Sequence, residues 1–331
     1  MTRTTPPRPV DVAALFPELL DHSRPATRLH PRPGTPGIED SSIGGQLLWP
    51  AAEPWPHCDG PHHYQTRLLA PATVRQHRAM ADEAWRRTPP GEGTNLTDHE
   101  RATLLDFSYS EPFELAQQPV AMIPVVQVYR RDTPGFLGPA DSDLMQVLWC
   151  PLVHDWLDYC PRLVIKWRRL ADTGEVLVCP PEPSVVADSF LPDQCVLHPE
   201  QVAEFDDDGL PEELRARIES WERESGYDYF GDLSIAPGWK IGGFGRWNLS
   251  GPRPMVCDCG ADLSVLMGVD GSEWDADSGS WRPVEDASRD DEPRARPRPD
   301  EPTGITIGRG YTLWVYYCPR SYDHPHQTAM Q

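Results

Sequence analysis

Read as hydrophobic and polar positions, the chain alternates short apolar runs with long polar, proline-punctuated stretches. Four runs have strand character: Val120–Tyr129, Leu144–Cys150, Arg162–Leu170 and Glu175–Cys179. Two more follow, Leu263–Val269 and Tyr311–Cys318. Helical spacing shows in Asp11–His22, where Val12, Leu15, Leu19 and Leu20 share a face. Thr73–Arg87 reads as a helix with Thr73 at its N-cap, and a shorter one follows from Asp98 to Phe107. The stretch 198–226 reads as helical and charged, with Pro211 in a first turn and Gly226 as the stop. Residues 1–10 read as a flexible tail and residues 31–40 as a loop. Residues 271–302 are too polar to offset chain entropy, so a long mobile loop is expected there, anchored by Trp274 and Trp281.

The same order of features occurs twice. Ile43-Gly44-Gly45-x3-Trp49 returns as Ile241-Gly242-Gly243-x3-Trp247. Prolines follow in both copies, then Cys58-Asp59 against Cys257-Asp258, then an apolar strand. Each copy closes on a strand ending in Cys-Pro, at Cys150 and Cys318, with His154 or His324 shortly after. Neither copy has enough strands to bury a core alone. The expectation is an α+β protein of two pseudo-equivalent, intertwined halves, with mainly antiparallel sheets and peripheral helices. Its organisation reads as a tail and helix over 1–40, a first half over 41–195, a helical connection over 196–230 and a second half over 231–331.

Composition narrows the function classes. A formal net charge of −21 disfavours nucleic acid and anionic membranes, which need a basic face, and suits a basic partner. No run of about 18 apolar residues exists, so no membrane helix is expected. The N-terminal segment is a poor signal peptide, which points to the cytoplasm. There the eight cysteines are thiols or metal ligands before they are disulfides.

Cys257, Cys259, Cys318 and His324 form the best candidate metal set, with His326 as a substitute for His324. Zinc takes four sulfur or nitrogen donors on converging turns, and a Cys-x-Cys turn ending in Gly260 can supply two. The first half offers Cys58, Cys150 and His154, with His62 or His63 completing the set and Cys160 close by. The same cysteines read otherwise as small buried hydrophobes. As nucleophiles, Cys58 beside His57 and Cys150 before His154 are conceivable pairs. The chain carries no Gly-x-Ser-x-Gly, no His-Glu-x-x-His and no phosphate-binding Gly-x4-Gly-Lys-Ser/Thr. Trp49, Trp55, Trp149, Trp247 and Trp314 read as core in preference to a ligand groove.

The IGG-x3-W segments, PMVCDCGADLSVLMGV at 254–269 and YTLWVYYCP at 311–319 resemble the YwqG-like family, domain-of-unknown-function family 1963. More distantly, the Gly-Gly and Cys-x-Cys-Gly elements resemble programmed cell death protein 2. The resemblance implies two similar intertwined halves and an immunity- or chaperone-like role toward a protein partner. The family's Cys-x-x-Cys stands here as Cys257-x-Cys259. The resulting expectation is a non-catalytic binding protein, more an interaction module than an enzyme, with zinc as the possible cofactor. The alternative is a metal- or thiol-dependent enzyme using the Cys/His clusters.

Overall fold

A computed structural model describes residues 2–88, 96–289 and 299–331. The fold is α+β, built on two six-stranded sheets in which every strand pairing is antiparallel. The first sheet runs in the order β2 (Arg32–Pro33), β9 (Cys195–Val196), β3 (Ser42–Ile43), β6 (Ile123–Tyr129), β7 (Leu144–Trp149) and β8 (Leu163–Arg168). The second runs β10 (Glu200–Phe205), β1 (Ser23–Arg28), β11 (Lys240–Gly242), β12 (Ser264–Val269), β13 (Leu313–Tyr317) and β14 (Gln327–Met330). A small ribbon pairs β4 (His57–Cys58) with β5 (Val120–Ala121).

The two orders correspond strand for strand. β3, β6, β7 and β8 answer β11, β12, β13 and β14, and each set is flanked by two strands from elsewhere in the chain. A bulge interrupts β6/β7 between Pro124 and Val126, and another interrupts β12/β13 between Val265 and Met267. The IGG turns sit in like places. Gly44 leaves β3 at φ +64°, Gly242 ends β11 at φ +73°, and Gly243 follows at φ +71°. A side chain at Gly44 would meet the Asp193 carbonyl oxygen at 2.9 Å, so glycine is required for close approach as well as for the backbone angle.

One apolar cluster takes residues from both sheets: Val126 and Val147 from the first, and Ile241, Leu266 and Val315 from the second. The sheets therefore share a core, and both faces of β7 are covered, since all six of its residues are buried. The chain crosses between the sheets: β1 joins the second sheet from the N-terminal side, while β9 returns to the first. Among the described residues, no helix is long and apolar enough to cross a membrane.

Several expectations are corrected. Asp11–His22 is not one helix. It is α1 (Val12–Leu15) followed by a 3-10 turn over Pro17–His22, because Pro17 cannot donate to a continuing α-helix. Residues of the expected tail are tied down: Thr4 bonds to Glu285, Thr5 to Glu200, and Arg8 to the Asp232 and Ser280 carbonyls. The first long helix, α2, is Pro71–Arg86 with Ala70 as its N-cap, so proline at the first position and not Thr73 sets its start. The next, α3 (Asp98–Leu105), begins in a Thr97/Glu100 capping box. Glu175–Cys179 contributes one bridge, Pro50 to Val176, and no strand. The segment expected to be helical from 198 opens with β10, and only α4 (Glu212–Ser225) is helix, capped by Gly226 in the left-handed region.

Over 271–289 the expected mobile loop is docked. Glu273, Trp281 and Asp286 are buried, and Arg32 pairs with both carboxylates. Arg8 lies 3.5 Å from the Trp281 ring centroid, and the indole donates to the Gly231 carbonyl at 3.0 Å. The expectation for residues 290–298 lies outside the described residues. Trp49, Trp55, Trp149 and Trp314 are core, as read, whereas Trp247 is only partly buried and packs against a cluster that holds Trp314 and Tyr316.

Candidate metal centres

Two sets of cysteine and histidine side chains converge, each with four donor atoms within 4.8 Å of one another. The sets occupy corresponding places. Each takes a cysteine from upstream of a central strand, Cys58 from β4 and Cys257 from a turn, and a Cys-Pro cysteine directly after the next strand, Cys150 after β7 and Cys318 after β13.

The first set is Cys58, His62, Cys150 and His154. Cys58 is held by the β4/β5 ribbon and Cys150 follows β7, where its amide donates to the Arg162 carbonyl at 2.8 Å. Cys58 Sγ lies 3.3 Å from His154 Nε2, and Cys150 Sγ 3.3 Å from His62 Nε2. His62 Nδ1 faces the Ala116 carbonyl. A carbonyl partner fixes the proton on Nδ1 and leaves the Nε2 lone pair turned toward the thiols, the tautomer a metal requires. Cys58, Cys150 and His154 are wholly buried, and both thiols sit in an apolar cluster with Trp49 and Trp55. The Cys150 contact, with His154 and His62, holds the Cys58 thiol well below its ordinary range. Burial, then Cys58 itself, pushes Cys150 up.

The second set is Cys257, Cys259, Cys318 and His324. Cys257 to Gly260 forms a tight turn, closed by Gly260 N–H on the Cys257 carbonyl at 2.8 Å, with Gly260 at φ +79°. Cys318 follows β13, and its carbonyl accepts from Ser321 at 3.2 Å, which brings His324 back over the sulfur. His324 Nδ1 is 3.3 Å from Cys318 Sγ and 3.5 Å from Cys257 Sγ, and Cys259 Sγ is 3.6 Å from Cys318 Sγ. Arg320 ties the two turns by donating to the Cys259 carbonyl at 3.0 Å. Burial opposes ionisation of Cys318. The Arg320 and Ser321 amides and the His324 imidazole outweigh it and bring the thiol down to about 6.

These distances fit a metal ion. A zinc tetrahedron with arms of ~2.3 Å to sulfur and ~2.0–2.1 Å to nitrogen has edges of roughly 3.3–3.8 Å. Five of the donor separations, 3.3 to 3.6 Å, lie close to those edges. Both sets could therefore hold a metal ion.

Cys58, Cys150 and His154 land in the first set, and Cys257, Cys259, Cys318 and His324 in the second. The structure decides between neighbours: His62 joins the first set, while His63 turns to Asp155 at 2.6 Å. His324 joins the second set, and His326 does not. Cys160 is buried outside both. One signal could have chosen His62 from sequence, since Cys58-x3-His62 and Cys150-x3-His154 share a spacing. Away from the two sets, a cavity of about 310 Å³ is lined by Asp228, Asp270, Asp275 and Asp277, with Arg246 as its one arginine. No family model matches the chain, and no curated protein matches it.

Proposed function

We propose that the chain is a non-catalytic, cytoplasmic binding protein, YwqG-like and internally duplicated, whose two halves are each pinned by a structural zinc ion and which takes a basic protein partner in an immunity- or chaperone-like role. The observation that carries this reading is closure of both donor sets. Four protein donors would fill a zinc tetrahedron and leave no position for water or substrate, which is the pattern of a structural site. When bound, zinc would supply folding energy there, because a preformed site does not exist in the unfolded chain. The chain's part is to present two thiolates and two imidazoles in the first centre, and three thiolates and one imidazole in the second.

The partner follows from charge. A formal net charge of −21 gives the surface a long-range attraction for basic proteins, and the four-aspartate cavity adds a local one. A thiol-dependent enzyme is the second reading, favoured by the Cys58–His154 contact. Weighing against it, Cys58 is wholly buried, so no substrate reaches that sulfur.

Affinity capture from the native host at physiological salt tests the binding role. The expected outcome is one specific basic protein, with an association that weakens steeply as ionic strength rises. Recovery of no specific partner, or of a partner indifferent to salt, would contradict the proposal.

A further inference from the structure

The two centres differ in exposure. In the first, both thiols are buried within an apolar cluster and His154 is buried, leaving His62 as the one partly exposed donor. In the second, Cys259 reaches the surface from the Cys257–Gly260 turn. Its sulfur is 3.6 Å from Cys318 Sγ, and a disulfide needs ~2.05 Å, so about 1.6 Å of closure joins them. The turn has room to give, since a side chain added at Gly260 would meet nothing within 4 Å.

We propose that Cys259 and Cys318 are an oxidation site, which a hydroperoxide joins as a disulfide, opening the second centre while the first stays closed. The exposed Cys259 thiolate attacks the peroxide O–O bond, takes one oxygen as a sulfenic acid and releases water or an alcohol. The Cys318 thiolate then attacks the Cys259 sulfur and expels hydroxide, which leaves as water after taking up a proton. The two thiols lose two electrons in all, and the peroxide oxygens receive them. Two of four donors are thereby consumed, and the remaining pair, Cys257 and His324, cannot complete a tetrahedron. Release of metal rests on the zinc reading; the thiol pairing rests on distance and exposure alone.

The test treats the full-length protein, as isolated, with hydrogen peroxide. Disulfides are mapped by mass spectrometry without reduction, and released metal is read with a chromogenic chelator. The expected result is a Cys259–Cys318 cross-linked peptide that forms in step with loss of about half the bound metal. A thiol reductant should reverse it. C259S should abolish that peptide, and C179S, at an exposed thiol outside both sets, should leave it unchanged. A Cys58–Cys150 disulfide forming first, equal release from both centres, or oxidation of Cys259 without pairing would each overturn the proposal. Should the isolated protein hold no metal, the zinc reading fails, and the peptide map still decides the thiol pairing.

Discussion

Glu204 and Lys240 are both wholly buried, with carboxylate and ammonium 2.6 and 2.8 Å apart. Glu204 also accepts from the Ala236 and Phe244 amides, at 2.9 Å each, so its oxygens are fully used. Burial lowers Lys240 to about 8 even so, against the pull of Glu204. Removing the carboxylate leaves a buried ammonium without its counter-ion. Glu204→Ala should cost about 3–5 kcal/mol in chemical denaturation; a loss under ~1 kcal/mol would show that the pair is relaxed by water. Nearby, Asp207 has no hydrogen-bond partner on either carboxylate oxygen, and Arg246 is 3.7 Å away. Burial raises Asp207 to about 7, with Asp208 and Asp206 adding to the effect and Arg246 and Lys240 opposing it. Its folded pKa lies above its unfolded one, so the folded state holds a proton that the unfolded chain has released. Stability from this group therefore falls as pH rises from about 4 to 7, and the penalty is complete above that. Asp207→Asn should remove this slope and stabilise the protein at pH 8 by about 1–3 kcal/mol. If wild type and variant unfold in parallel across pH 4–8, the account of Asp207 is wrong.

At the scale of elements, the strands with continuous apolar runs were legible, and the strands that carry charge inward were not. β10 hides its role because Glu204 faces the core and reads as a surface residue of a helix. β1 hides behind Ser23, Arg24 and Arg28, and Arg28 is buried by bonds to the Trp281 and Glu273 carbonyls. Docking of 271–289 was illegible for the same reason: its polar residues are satisfied by partners more than 200 positions away. The centres were largely legible, because cysteine and histidine are scarce and the repeat aligned them. Neighbouring histidines differ only in how a turn aims them, which composition does not encode. Trp281 anchors the docked segment between Arg8 and the Gly231 carbonyl. Trp281→Ala should cost about 3–5 kcal/mol and speed amide exchange at Thr4 and Thr5, which bond to Glu285 and Glu200. Unchanged exchange there would mean the segment is held without its tryptophan.

For the whole molecule, two six-stranded sheets share one core, and one Cys/His set gathers at the cysteine after β7 and the other at the cysteine after β13. Short strands and many prolines leave little regular hydrogen bonding outside the sheets, so local cross-links matter to stability. The account stands or falls on whether those cross-links are metal. The most direct measurement is elemental analysis of protein purified from its native host and dialysed without chelator. The prediction is about two zinc ions per chain, retained through dialysis, with about one remaining in C257S, whose second centre has lost a donor. Protein that is folded and holds no stoichiometric metal would contradict it.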